Sequence, residues 1–187
     1  MGIICEGETE PIILDTVGFR ASIAQFGIEL IGVTQAGGKK EYGAERINKH
    51  RQILLDKGAE HIYVLVDLDK DLCITLTKQD VSQHPDQTVI VAVKEFENWY
   101  LADDSTLSHF VGVDTFIEFP EADGDAITTI INLGLQSGRF NRFRKSKVLL
   151  ANAMKNNGFT IENAAKHPNC PSAQYFLTKL QNLASAN

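Results

Sequence analysis

Acidic residues follow three short apolar runs of the sequence, at the point where each run ends. They are Glu6, the pair Asp67 and Asp69, and the pair Glu95 and Glu97. Residues two apart in an extended segment point the same way, so each pair presents its two carboxylates together. Neighbouring carboxylates raise each other's pKa, and a hard divalent cation relieves that repulsion. Because carboxylate oxygens suit Mg²⁺ or Mn²⁺, the sequence predicts a site for one of these metals among the five acids.

Other known contexts for an Asp-x-Asp segment do not fit the residues around Asp67. An EF-hand loop that began at Asp67 would have Gly at its sixth position and Glu at its twelfth, where this chain has Leu72 and Lys78. A haloacid-dehalogenase-type phosphatase would have Thr or Val at the fifth position, which is Asp71 here. The GxxxxGK[ST] pattern of a P-loop does not occur. These mismatches leave two interpretations of the motif: an acidic site at the strand ends, or acids that occur there only because strand ends are exposed.

Basic residues that cluster late in the chain indicate a second kind of chemistry. The candidates for contact with nucleic acid are Lys39, Arg139, Arg142, Arg144, Lys145 and Lys147. Guanidinium groups bind phosphates bidentately, and the interleaved Phe140 and Phe143 could stack on unpaired bases. The late stretch is equally typical of an exposed turn with both rings anchored in the core. Lys39 is equally typical of a glycine-containing turn at 36–40, so both interpretations stay open.

The elements that must position these residues follow from the apolar pattern. Strands are predicted at 3–5, 28–33, 62–66 and 88–93, with a helix from the N-cap Thr9 to Gly27 and another at 41–57. Strands that alternate with helices form a parallel α/β sheet, which binds ligands at its carboxyl edge. Beyond Trp99 helices are predicted at 105–111, 126–135, 146–156, 161–165 and 173–184, with a linker at 116–125. We therefore predict an α/β domain over residues 1–104, a four-stranded parallel sheet flanked by helices, and a mostly helical C-terminal extension over residues 105–187.

The quoted motifs resemble those of a known domain. The segments IICEGETE and YVLVDLDKD resemble the Toprim domain shared by topoisomerases, bacterial primases, RecR recombination proteins and OLD-type nucleases. The segments VKEFENWYLAD, KSKVLLANAMKNNG and CPSAQYFLTKL resemble a narrower Toprim-like family of unknown function, numbered 4276. The resemblance implies that Glu6 is a metal ligand or general acid/base and that Asp67 and Asp69 hold catalytic Mg²⁺. Glu95 and Glu97 match acids of the narrower family, for which the resemblance implies no role.

Length, charge and cysteine content narrow the class of protein. The chain has 187 residues, and 18 Lys and Arg against 24 Asp and Glu give a formal net charge of -6. That charge argues against coating of nucleic acid by bulk positive charge, so any contact must come from a local patch. The three cysteines show no CxxC spacing, which argues against a disulfide framework and favours the reducing cytoplasm. No apolar run reaches the ~18 residues of a membrane-spanning helix, so no membrane is expected.

Two functions follow as hypotheses. The first is a Mg²⁺- or Mn²⁺-dependent phosphodiesterase that cleaves DNA or RNA, with Glu6, Asp67 and Asp69 as catalytic residues. The second is a non-catalytic Toprim-like subunit that works beside an ATPase partner, for example in defence against phage. Topoisomerase and primase activities are disfavoured because both need further domains. The substrate and the oligomeric state are left open by the sequence.

Overall fold

The centre of the molecule is a sheet of parallel strands. The computed structural model describes residues 1–122 and 124–185, without the side chains of Ala44 and Glu45. The strands of the described residues are β1 (Gly2–Cys5), β2 (Gly32–Gln35), β3 (Ile62–Asp67) and β4 (Gln87–Ala92), in the order β2-β1-β3-β4 across the sheet. The predicted four-stranded parallel sheet is therefore confirmed. Because all neighbouring strands pair in parallel, their carboxyl ends lie at one edge.

Helices surround this sheet and make up nearly all the regular structure after β4. They are α1 (Glu10–Leu14), α2 (Val17–Ala24), α3 (Ala44–Asp56), α4 (Ile74–Asp80), α5 (Asn98–Ala102), α6 (Asp104–Val111), α7 (Ala126–Gln136), α8 (Lys147–Asn156), α9 (Ile161–Ala164) and α10 (Pro171–Ser185). Short 3₁₀ turns occur at Lys39–Tyr42 and Pro120–Ala122. The predicted helical C-terminal part is confirmed. None of the described helices combines the length and the apolar character needed to cross a membrane.

The two faces of the sheet bury two separate apolar clusters. In β3, Tyr63 and Leu65 point to one face and Val64 and Val66 to the other, as the two-residue period of a strand requires. The first cluster joins the sheet to α1, α2 and helices α5 to α10, whereas the second is closed mainly by α3 and Tyr42. Both faces are thus covered, which explains why every residue of β3 is buried.

The second strand and the first helix differ from the prediction. The strand predicted at 28–33 forms later, at Gly32–Gln35, because Ile28 and Leu30 fill the first apolar cluster before the chain joins the sheet. The helix predicted from Thr9 to Gly27 is broken in two. Thr16 is extended there, and its hydroxyl caps α2 by accepting a hydrogen bond from the Phe19 N–H at 3.1 Å. Thr9, the predicted N-cap, makes no side-chain cap.

The helices α4 and α5 were not predicted, and the segment at 116–125 is tied to the core. Trp99 of α5 is fully buried and Phe96 nearly so, and both belong to the first apolar cluster, so the chain lies in that cluster on both sides of Glu97. In the predicted linker, the buried Glu121 accepts a hydrogen bond from the Ser172 N–H at 2.8 Å, at the start of α10. Asp123 of the same segment lies outside the described residues. The described part of this segment therefore packs against the C-terminal helix.

Gly134 of α7 provides a test of how the chain between α7 and α8 is held. A Cβ atom at Gly134 would lie 2.0 Å from Cε2 of Phe140, whose ring packs 5.0 Å from Phe110 and 5.2 Å from Phe143. Gly134→Ala gains about 1 kcal/mol of helix propensity, but displacing a packed ring costs about 1–3 kcal/mol. We therefore expect a lower thermal midpoint, measured by circular dichroism.

Gly18→Ala is the matched control for this substitution. Gly18 is also helical, but its Cβ would meet only the Thr16 hydroxyl at 3.9 Å, an ordinary contact. The control should leave the midpoint unchanged or raise it. Equal stability of the two variants would show that the Phe140 ring moves aside freely.

Candidate acidic site at the carboxyl edge of the sheet

Glu6 and Asp67 meet where β1 and β3 end. The Asp67 N–H donates a hydrogen bond to Oε2 of Glu6 at 3.3 Å. The Asp67 side chain points into the protein, where the residue is 7% exposed, and its Oδ1 accepts a hydrogen bond from the Phe96 N–H at 2.8 Å. Phe96 follows β4, so the segments that follow three of the parallel strands converge on these two acids.

Two further carboxylates, those of Glu10 and Glu97, are buried next to Asp67. The Thr9 hydroxyl lies 3.0 Å from Oε2 of Glu10 and 3.3 Å from Oε1 of Glu97. A hydroxyl carries one hydrogen, so it can donate to only one of the two carboxylates at a time. The Gly7 N–H donates to the other Glu10 oxygen at 3.2 Å. The turn between β1 and α1 therefore delivers Glu10 to the site together with Glu6.

Burial and nearby carboxylates shift the pKa values of Asp67, Glu97 and Glu6 upward. The pKa of Asp67 lies well above its ordinary range because of burial and because Glu97 and Glu10 are close, while Lys147 acts in the opposite direction. Burial also raises the pKa of Glu97, against the pull of Lys147, and it raises the pKa of Glu6. These three acids therefore hold protons more tightly in the folded protein than free carboxylates do.

Lys147 is the cation closest to the buried acids. Its Nζ lies 3.0 Å from Oε2 of Glu95 and 3.1 Å from Oε2 of Glu97. Burial lowers the pKa of Lys147, but the charges of Glu97 and Glu95 outweigh it and hold that pKa above its usual value. A single ammonium group from the start of α8 therefore fixes the two acids that follow β4.

Lys39 contacts two carboxylates of the loop that follows β3, as Lys147 does for the acids that follow β4. Its Nζ contacts Oδ2 of Asp71 at 2.6 Å and Oδ2 of Asp69 at 3.4 Å. It also donates hydrogen bonds to the carbonyl oxygens of Asp67 at 3.0 Å and Leu68 at 3.2 Å. Lys39 therefore holds the loop that follows β3 through two carboxylates and two carbonyl oxygens. It was predicted to contact nucleic acid, and the structure places its ammonium group on the protein's own carboxylates and carbonyls.

Asp69 and Lys94 adopt an uncommon backbone conformation beside this loop. In the described part of the chain they are the non-glycine residues with positive φ, at 55° and 62°. The Asp69 N–H donates to the Lys94 carbonyl at 2.7 Å, so the two unusual residues are linked directly. Together with Lys39, Asp71 and neighbouring residues they line a cleft of about 400 Å³ at the carboxyl edge. Such conformations concentrate at functional sites.

The acids outnumber the cations that face them. Lys147 and Lys39 each engage two carboxylates, whereas Glu6, Glu10 and Asp67 form no ion pair with any residue that the structure describes. Two of these three, Glu10 and Asp67, are buried. A cation from solution would balance their charge.

The chemistry of these acids suits the divalent cation that the resemblance implies. Carboxylate oxygens are the ligands that Mg²⁺ and Mn²⁺ prefer, and the three unpaired acids supply the negative charge. In residues 1–122 and 124–185, however, no three His, Cys, Asp or Glu side chains are arranged around a point that could hold an ion. Lysines engage the carboxylates of Asp69, Asp71, Glu95 and Glu97 instead. The residues therefore fit the cation in chemistry and charge, whereas their arrangement in the described part of the chain forms no ligand cluster.

The basic residues of the predicted stretch have three different surroundings. Lys147 lies among the acids, and Lys145 contacts Oδ2 of Asp125 at 2.5 Å. Arg139, Arg142 and Arg144 are exposed. The rings of Phe140 and Phe143 pack on Phe110, at centroid distances of 5.0 and 6.0 Å. The anchored turn, one of the two interpretations of the sequence, is thus the arrangement that the structure has.

Glu10 and Thr9 belong to the site and were missed in the sequence. Thr9 is predicted to be a helix N-cap, and Glu10 lies in the first turn of α1, where an acid suits the helix dipole. The signal that could have identified them is the concentration of three glutamates between Glu6 and Pro11. A turn that carries Glu6 at its start and enters a helix at Glu10 returns the second acid towards the first.

Comparisons with known proteins identify no relative of the chain. No family model matches it, and neither a curated protein nor a solved structure does. Function must therefore be inferred from the acidic site and the surfaces around it.

Asp67→Asn tests whether Asp67 is under electrostatic stress. A group whose pKa is raised on folding contributes stability below its unfolded pKa, and that stability is lost as pH rises through the folded pKa. Asn keeps the oxygen that accepts from the Phe96 N–H and removes the charge. The metal-free variant should unfold at the same temperature as the parent at about pH 4 and at a higher temperature than the parent at about pH 8.

Asp80→Asn, at an exposed position at the end of α4, is the control for this comparison. It should change the midpoint little at either pH. A loss of stability in Asp67→Asn that is the same at both pH values would instead identify Asp67 as a structural residue.

Proposed function

We propose that the protein is a metal-dependent phosphodiesterase that acts on DNA or RNA. The observation that carries the proposal is the set of carboxylates at the carboxyl edge, of which Glu6, Glu10 and Asp67 lack an ammonium partner among the described residues. Open parallel sheets bind ligands at this edge. A site with unbalanced buried acids is suited to a divalent cation, and a divalent cation is suited to a phosphate.

The residues of the site would have distinct roles in metal binding. Glu6, Asp67 and Asp69 would hold Mg²⁺ or Mn²⁺, with Glu95 and Glu97 as further ligands. When bound, the cation polarises the scissile phosphate and lowers the pKa of the attacking water.

The protein's own contacts keep these side chains in place. The Phe96 N–H fixes one oxygen of Asp67, and the Asp67 N–H fixes one oxygen of Glu6. Lys147 orients Glu95 and Glu97, and Lys39 restrains the loop that carries Asp69. Preorganisation of this kind lowers the rearrangement needed before reaction.

The resemblance of the motifs supports the same assignment. Toprim domains combine a glutamate after the first strand with an Asp-x-Asp pair after a later one, and Glu6, Asp67 and Asp69 match these positions. We further propose a cytoplasmic location, which agrees with the free thiols of Cys5, Cys73 and Cys170.

One observation favours the alternative, a non-catalytic subunit beside an ATPase. The ammonium groups of Lys39 and Lys147 already contact the carboxylates of Asp69, Asp71, Glu95 and Glu97. A protein without a catalytic metal could use lysines in this way to stabilise its acids. Metal binding and cleavage distinguish the two functions.

The proposal predicts metal-dependent stability and cleavage. Mn²⁺ at a hundred times its Kd should stabilise the parent by about 2.7 kcal/mol, which for a chain of this length raises the midpoint by roughly 5–10 °C. The parent should cut labelled single-stranded or duplex DNA or RNA in Mn²⁺ and not in EDTA. Asp67→Asn should fold, lose the Mn²⁺ response and lose cleavage.

Asp80→Asn again serves as the matched control and should retain both properties. If neither Mn²⁺ nor Mg²⁺ changes the thermal midpoint of the parent, and the parent cuts none of the substrates, the phosphodiesterase proposal is overturned. The non-catalytic subunit then remains as the proposed function.

A further inference from the structure

The segment between α7 and α8, residues 137–146, is called the basic loop below. Its arginines differ from all other arginines of the chain. The three outside the loop form ion pairs: Arg20 with Asp15 at 2.5 Å, Arg46 with Glu41 at 2.5 Å and Arg51 with Asp86 at 2.6 Å. Arg139, Arg142 and Arg144 are exposed, and their guanidinium groups have no hydrogen-bond or ion-pair partner within residues 1–122 and 124–185. In a chain with a net charge of -6, this places three uncompensated positive charges together.

The aromatic residues of the basic loop fix its position against the core. Phe140 and Phe143 pack on each other at 5.2 Å and on Phe110. The Phe140 N–H also donates to the Gly134 carbonyl at 2.8 Å. Both rings are half-buried and engaged by protein contacts, whereas the three arginines are exposed. The arginines therefore dominate the chemistry of the loop surface.

The basic loop runs back along α7 towards the acidic site. Phe140 contacts Gly134 in the second half of α7, whereas Lys145 contacts Asp125 and Thr128 at its start. These contact points lie about six helical residues, or roughly 9 Å, apart. Lys147 follows two residues after Lys145 and contacts Glu95 and Glu97.

We infer that the basic loop is a track for the phosphate backbone of a nucleic acid, leading to the acidic site and binding by charge alone. This inference rests on the proposed function, since it takes the acidic site as the place of cleavage. An arginine that has no internal carboxylate partner is available to pair with a phosphate by charge. Because the two rings of the loop pack on Phe110 and on each other, we expect recognition along this track to be independent of base identity and of base stacking.

The test compares Arg142→Ala/Arg144→Ala with Lys49→Ala/Lys57→Ala in EDTA, which prevents cleavage. The control lysines are exposed on and directly after α3, which covers the other face of the sheet. Binding of a labelled duplex, a single strand and an abasic strand of equal length is measured by fluorescence anisotropy over a series of salt concentrations. All variants should unfold at the temperature of the parent, since the four side chains are exposed.

Each arginine lost should reduce the slope of log affinity against log salt by about 0.9 on the duplex and about 0.7 on single strands. At about 0.1 M salt, the duplex value corresponds to roughly eightfold weaker binding for each arginine. The control pair should keep the slope of the parent, and Arg142→Lys/Arg144→Lys should retain most of the binding. The abasic strand should bind the parent as tightly as the single strand with bases.

Two results would overturn the track. One is an unchanged slope in the arginine variant, which would leave these residues free to contact an acidic protein surface instead. The other is much weaker binding of the abasic strand, which would show that bases are stacked. Cleavage by the parent in Mn²⁺ is a separate measurement, so loss of the track leaves the phosphodiesterase standing, and absence of cleavage with an intact track overturns only the phosphodiesterase.

Discussion

The crowding of carboxylates at the carboxyl edge is the constraint on which the rest of the site depends. Glu6, Asp67 and Glu97 arrive there because burial of the apolar strands and of Trp99 fixes the backbone that carries them. The hydrophobic effect scales with buried apolar area and does not discriminate between charges, so it can bring like charges together. Ion pairs then reduce the repulsion locally, with Lys147 on the side of β4 and Lys39 on the side of β3. The core thus provides the stability that an electrostatically unfavourable site requires.

The backbone at the cleft also has a conformation that costs stability and positions residues of the site. A non-glycine residue with positive φ costs of the order of 1 kcal/mol, more for Lys than for Asp. Asp69 and Lys94 keep this conformation because each is held by the other, through the bond from the Asp69 N–H to the Lys94 carbonyl, and because Lys39 restrains the loop. Neither residue adds apolar burial that would compensate. The conformation instead sets where Asp69 and Glu95 stand around the cleft.

The sheet could be predicted from sequence because its signal is local. The continuous apolar runs of β3 and β4 are typical of strands covered on both faces, and the structure confirms them. The misplaced β2 shows the limit of that signal. Ile28 and Leu30 are as buried as strand residues but lie in the core outside the ladder, and an apolar run does not reveal whether its backbone pairs. Thr9 illustrates a second limit, since its cap-like position conceals a hydroxyl that faces Glu10 and Glu97.

Lys147 could not be assigned from its neighbours in sequence. It closes a basic stretch, yet its partner Glu97 is 50 residues away, and such a pairing is set by the packing of α8 and not by any local pattern. One local sign was nevertheless present. Ser146 caps α8, which places Lys147 in the first helical turn, where a cation meets the positive end of the helix dipole. A residue that breaks a local rule needs a compensating interaction elsewhere, and here Glu95 and Glu97 supply it. The unfavourable position of Lys147 at the start of α8 is therefore itself a consequence of the acidic site.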